Sequence, residues 1–178
     1  VLVWGAQVET GSVATSYIPT SGGNAAARTR AADKLSITGS DFSDFYNQSE
    51  GTVYFEGTSN ASNDPRLFEF SDGTDSNKIR IDLNDGIKFR TVVTNSDSTT
   101  VNEEVDFTSA SSLFRAALSF KVNDLEGNLN GVSVINQTPA SLPTVDQLHV
   151  GANHDGTGNY LNGHVKRLIV WPTHSSRL

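Results

Sequence analysis

Apolar and polar residues alternate with a period of two along most of the chain, the repeat of a strand with one face buried. Leu35 and Ile37 begin it. Val53 and Phe55, then Phe68 and Phe70, then Ile79, Ile81 and Leu83, then Ile87, Phe89, Thr91 and Val93 continue it. Phe114, Ala116, Leu118, Phe120 and Val122 form the longest such run and predict a central strand. Lys78, Arg80, Asp82, Lys88 and Arg90 fall between the apolar positions, so the pattern places them on a face turned to water. One stretch departs from the repeat. Phe42, Phe45 and Tyr46 in DFSDFYN have the spacing of a single helical turn, capped by Asp41 or Ser43 and placed to plug one end of a sheet.

The connections carry turn chemistry. Asn84-Asp85-Gly86 supplies positive φ angles between Leu83 and Ile87, DGTDSN does the same between Phe70 and Ile79, and Asn130-Gly131 sets Leu129 opposite Val132. Residues 147–172 read as strand, polar loop and strand: a hairpin, with His154, Asp155, Asn159 and Tyr160 in its loop and a bulge near Val165, Lys166 and Arg167. Ten or more short strands joined mostly by hairpins predict an all-β antiparallel sandwich of two facing sheets. Residues 1–33 read differently, as the strand VLVWGAQVE followed by a small, polar linker. The sandwich domain is therefore expected over 34–178, downstream of another region.

Composition narrows the function classes. The chain has 178 residues, no Cys and no Met, and opens on an apolar run, which suggests a piece of a longer polypeptide. A chain of this size buries roughly 70% of the surface exposed when unfolded and needs no staple. Net charge is −7 and the 13 Lys and Arg are scattered, so no basic stripe exists to meet nucleic acid. No apolar run approaches the length of a membrane-spanning helix.

With the strands in order, FEFSDGTDSNKIRIDL, FRAALSFKVND, LNGVSV, QLHVGAN and LNGHVKRLIVWP resemble successive strands of laminin-G-like domains of the concanavalin A-like superfamily. The versions in bacteriophage tail and fibre proteins are the nearest in character, and GAQVETGSVATSYIPT with ARTRAAD resembles the junction that precedes such domains. The resemblance implies a jelly-roll sandwich on a virion, in an extracellular setting, with host-surface glycan or other virion proteins as partners. It also implies two competing roles, a polysaccharide-degrading enzyme on the same fold and a purely structural decoration domain.

The enzyme reading was sought in the acidic residues. Glu103-Glu104-Val105-Asp106-Phe107 resembles part of the Glu-x-Asp-x-x-Glu signature of endo-β-glucanases, but Thr108 and Ser109 follow where the closing Glu would stand. The second carboxylate that a retaining mechanism places about 5 Å away is therefore not supplied. Gln147-Leu148-His149 resembles the Gln-x-His element of some alginate lyases, without the companion Arg-rich and Tyr-rich strands. No catalytic residues are assigned.

Among metals, zinc lacks its ligands, since the four His have no i, i+4 helical pair and Cys is absent. Calcium is the cation whose chemistry fits: Asp72, Asp75 and Asn77, or Asn153 and Asp155, offer turn oxygens, although the same residue types serve turns by local hydrogen bonding. For a glycan, the loop residues His154, Asp155, Asn159 and Tyr160 combine an aromatic platform with hydrogen-bonding groups, with Arg66 or Tyr54 as expected neighbours.

Overall fold

The computed structural model describes residues 33–107 and 110–176. The predicted strand and linker of residues 1–32, and Thr108 and Ser109, lie outside them. The chain divides into two units, Val1–Asp33 and Lys34–Leu178, and the second is the one described below.

Eleven strands and one helical turn make up this unit. The first sheet has the order β1-β10-β3-β4-β5-β6 and the second β11-β2-β7-β8-β9. Their ranges are β1 Leu35–Thr38, β2 Glu50–Ser59, β3 Arg66–Ser71, β4 Lys78–Asn84, β5 Lys88–Asn95, β6 Ser98–Asp106, β7 Phe114–Lys121, β8 Asp124–Leu129, β9 Val132–Gln137, β10 Gln147–Val150 and β11 Gly163–Trp171. Every pairing is antiparallel. This is a jelly-roll sandwich, and β7 occupies the middle of the five-stranded sheet as its alternation predicts.

The core forms where the period-two apolar positions of the two sheets meet. Phe68, Phe70, Ile79, Ile81, Leu83, Phe89 and Val93 from the first sheet, and Val53, Phe55, Leu118 and Phe120 from the second, are fully buried. Phe70 and Phe120 approach from opposite sheets with ring centroids 6.3 Å apart. Burying a side chain of this kind contributes about 1.5–3 kcal/mol, so these residues carry the fold. The helical turn α1, Ser40–Ser43, drives Phe42 into this interior, and Tyr46 just after it stacks on Phe42 at 4.6 Å and meets Phe70 at 4.9 Å. Its N-cap is Gly39, with no side-chain hydrogen bond, so neither Asp41 nor Ser43 caps it. Burial of Phe42, not capping, holds the turn.

The predicted turns are present. Asp85 and Gly86 take φ of 53° and 71°, and Asn130 and Gly131 take 52° and 85°, with Leu129 paired to Val132. The bulge falls between Val165 and Arg167. The alternation overruns at two strand ends: Ile87 and Val122 belong to turns and are exposed.

Two larger expectations fail. Residues 147–172 are not a hairpin, because β10 pairs with β1 and β3 in one sheet while β11 pairs with β2 in the other. Local sequence cannot reveal this, since both strands find their partners about a hundred residues away. The segment between them instead crosses one end of the sandwich. Its backbone is bound to both sides: Gly151 N–H donates to Leu67 O, Arg66 N–H to Asn159 O, and Asn60 N–H to Asn162 O. Nor is the polar face of β4 and β5 wet, for Asp82 has no exposed surface and Lys78 and Arg80 are buried. No helix among the described residues is long and apolar enough to cross a membrane.

Candidate functional site

The outer face of the six-stranded sheet carries a buried ion network. On β4, Lys78, Arg80 and Asp82 alternate with the core residues, and register places Arg90 of β5 and Arg66 of β3 beside Asp82. A bulge in β3 between Arg66 and Phe68 turns both Leu67 and Phe68 inward and leaves Arg66 on the outer face. Asp82 then accepts from three guanidinium groups: Arg66 at 2.8 Å, Arg80 Nε at 2.7 Å and Arg90 Nε at 2.7 Å. Glu69, also buried, takes Arg66 Nε at 3.3 Å, and Asp64 lies 3.6 Å from Arg90.

A carboxylate enclosed by three cations is held by hydrogen bonds as much as by charge. Burial, and then the nearby Arg80, draws Arg66 below its ordinary value. Arg90 is raised despite burial, because its hydrogen bond to Asp82 and that carboxylate's charge hold its proton. Arg80 and Arg90 are fixed through Nε, while a terminal nitrogen of Arg66 binds Asp82 and one of Arg90 lies 3.6 Å from Asp64. Beside it lies a polar depression of about 280 Å³ lined by Lys78, Arg80, Arg90, Thr94, Thr99 and Asn102 together with Asp75 and Asp97. Lys78 is paired with Asp75 at its edge.

The crossing segment sits on the same face. His154 donates its backbone N–H to Glu69 Oε1 at 2.9 Å and brings Nδ1 within 3.2 Å of the same oxygen. The four loop residues named from sequence are therefore divided. His154 docks the segment on the sheet, while Asp155 accepts from the backbone and hydroxyl of Thr157 and is held below the usual carboxylate range by those bonds. Asn159 and Tyr160 share a polar hollow of about 300 Å³ with Asn60, Ser62, Asn63 and Asn162. Tyr160 is partly exposed and donates its hydroxyl to Gly156 O. Of the two expected neighbours, Arg66 reaches the segment, whereas Tyr54 stands on the other sheet.

The turn read as a calcium loop is closed on itself. Asp72 accepts from Thr74 through one oxygen and from Asn77 through the other, which together keep it ionised below its usual range against the opposing effect of burial. Asp75 faces Lys78. Asn153 turns its Oδ1 to Thr157 and Gly158. Among the described residues no group of three or more acidic or histidine side chains is gathered for a metal.

Of the residues weighed for catalysis, Glu104 is occupied and His149 is part-buried. Glu104 is held by Lys88 at 2.5 Å and Asn84 at 2.7 Å, which lower its carboxyl; a general acid needs the opposite shift. His149 lies across from Glu69 in the β10–β3 register. Burial pushes its imidazole down, and Nδ1 is buried without a hydrogen-bond partner. Arg80 and Arg90 were the residues that pattern reading passed over. Their signal was present as basic residues alternating with Asp82 on adjacent strands, but period two alone does not separate a buried network from a solvated face.

No family model matches this chain, and no curated protein matches it. Solved structures do. It is similar to a Ruminococcus gnavus IT-sialidase CBM40 bound to α2,3-sialyllactose, with a TM-score of 0.59 and 14% identity over 73% of this chain and 79% of that one. It is similar also to the mouse laminin α1 chain domains LG4-5, at 0.60 and 9% over 79% and 40%, and to the Streptococcus pneumoniae NanB sialidase, at 0.60 and 17% over 80% and 25%. At these identities the likeness establishes one thing, the jelly-roll sandwich that this chain shares with laminin-G and CBM40 domains.

Proposed function

We propose that this chain is a non-catalytic carbohydrate-binding module whose glycan carries a carboxylate and lies on the outer face of the six-stranded sheet. The observation that carries the reading is the depression beside Asp82, where Arg80 and Arg90 are held through Nε, with Lys78 paired to Asp75 and with Asp97 also in the lining. A guanidinium fixed in this way meets a carboxylate with little further loss of freedom, and its fork suits bidentate bonding. Thr94, Thr99 and Asn102 provide neutral groups for hydroxyls, and Asn159 and Tyr160 extend the polar surface at the end of the sandwich. The CBM40 structure bound to sialyllactose, a sugar with a carboxylate, supports this choice of ligand class. The resemblance to phage tail domains supports a virion setting, in which the module would attach to acidic host-surface polysaccharide.

Calorimetric titration with 3′-sialyllactose, oligouronates and lactose tests the reading. Binding of an acidic sugar, weakening with salt and falling at least about tenfold in Arg90→Gln, is expected; each tenfold step is 1.4 kcal/mol. A smaller loss is expected in Tyr160→Ala. Failure of every acidic glycan to bind, or release of shortened oligosaccharides during incubation, overturns it.

A further inference from the structure

The outer face of the five-stranded sheet holds a different cleft. Ala117 of β7 stands in register between Tyr54 of β2 and Asn128 of β8. A methyl group between a ring and an amide leaves the sheet surface sunken. The result is a groove of about 390 Å³, inside the usual range for small-ligand sites. Tyr54 and Trp171 form one wall and Arg115 and Asn128 the other. Trp171 pairs with Thr52, two residues from Tyr54 on the same face, so indole and phenol are diagonal neighbours on one platform.

One end of this groove is built by the segment after β11. Thr52 Oγ1 donates to Thr173 O at 2.7 Å, and Ser175 N–H reaches Thr52 Oγ1 at 3.0 Å and Ser119 Oγ at 2.8 Å. Asn128 is oriented too, since its Oδ1 accepts from Gly131 N–H at 2.9 Å. The guanidinium at the mouth has a carboxylate partner. Arg115 lies 3.7 Å from Glu56, which also takes Lys166 at 2.9 Å. Despite this, Trp171 keeps 43% of its surface exposed.

Aromatic faces over an apolar floor, with a guanidinium at the rim already paired with Glu56, suit a ring that is apolar on its C–H face and hydroxylated at its edge. We propose that this groove is a second carbohydrate site, which takes one neutral pyranose unit against Trp171 and Tyr54 with its hydroxyls toward Arg115. It does not depend on the acidic-glycan reading of the opposite face. The two sites lie on opposite sheets, so one module would contact sugar on both sides of the sandwich.

Amide NMR of the full chain, titrated separately with lactose, cellobiose and methyl α-mannoside, tests the site. At least one of these sugars is expected to shift the Ala117 and Gly131 signals saturably. Trp171→Ala should weaken that response about tenfold, while Arg90→Gln leaves it unchanged. Ala117→Leu, which fills the floor and keeps both aromatics, should abolish it and guards against a folding defect in Trp171→Ala. The proposal is overturned if none of the three sugars moves these signals, if Arg90→Gln weakens the response as much as Trp171→Ala, or if sedimentation shows the groove closed between two copies.

Discussion

The two outer faces of this sandwich are built from the same repeat and do opposite things with it. On the six-stranded sheet, the positions between core residues hold charges that have lost their water and found one another around Asp82. On the five-stranded sheet, the equivalent positions hold Tyr54, Ala117 and Trp171 and leave a cleft. The difference lies in what covers each face. The crossing segment, docked through His154 on Glu69, and the turn carrying Asp64 shield the first, whereas the tail after β11 closes only one end of the second. A strand's outward half is therefore defined by its neighbours, and not by whether its residues are polar.

The sharpest test of that contrast is to remove one residue from each face. Asp82→Ala leaves three guanidinium groups confined without their shared carboxylate, and chemical denaturation should show a loss of about 3–5 kcal/mol. Trp171→Ala removes a half-exposed ring and should cost no more than about 1 kcal/mol in the same experiment. Equal losses would show that the network is solvated in solution and that the two faces do not differ.

Acidity discriminates next. His149 sits on the charged face with its imidazole pushed down by burial, so the unfolded chain takes up a proton that the folded chain resists. Stability contributed by the neutral ring is present at high pH and declines as the pH falls below about 6.5, the unfolded value, toward the lower folded one. Melting temperatures between pH 8 and 5 should fall more steeply for the native chain than for His149→Gln.

The smallest expected effect lies between the sheets. Tyr46 packs among Phe42, Phe70 and Phe120; burial raises its ionisation far above the ordinary tyrosine value, and its hydroxyl has no hydrogen-bond partner among the described residues. Tyr46→Phe should be neutral or stabilising by about 1 kcal/mol, because it removes a desolvated polar group without opening a cavity. A clear loss would mean that the hydroxyl has a partner in solution.

Much of the architecture was legible because each strand declares its inward half and each tight turn its glycine or asparagine. Phe89 and Val93 were placed inside, Asp85-Gly86 at a turn and Val165 beside a bulge from local chemistry alone. Partner choice was not local. Nothing in 147–172 distinguishes a hairpin from two strands that join separate sheets, since the hydrogen bonds of β10 and β11 go to β1, β3 and β2. The site was less legible for the same reason. Lys78, Arg80 and Arg90 read as ordinary solvated residues until register gathers them on Asp82, and Ala117 reads as a filler until Tyr54 and Asn128 flank it.

The crossing segment carries a consequence for how the molecule is made. β1 waits for β10, with Leu35 paired to Val150, and β2 waits for β11, with Thr52 paired to Trp171. Until those late strands are made, β2 and β3 each present an open edge. Pairings so distant in sequence are slow to close, and exposed edges invite association with other chains meanwhile. Completion of this domain thus waits for its last strands, and its yield depends on shielding nascent edges until they arrive.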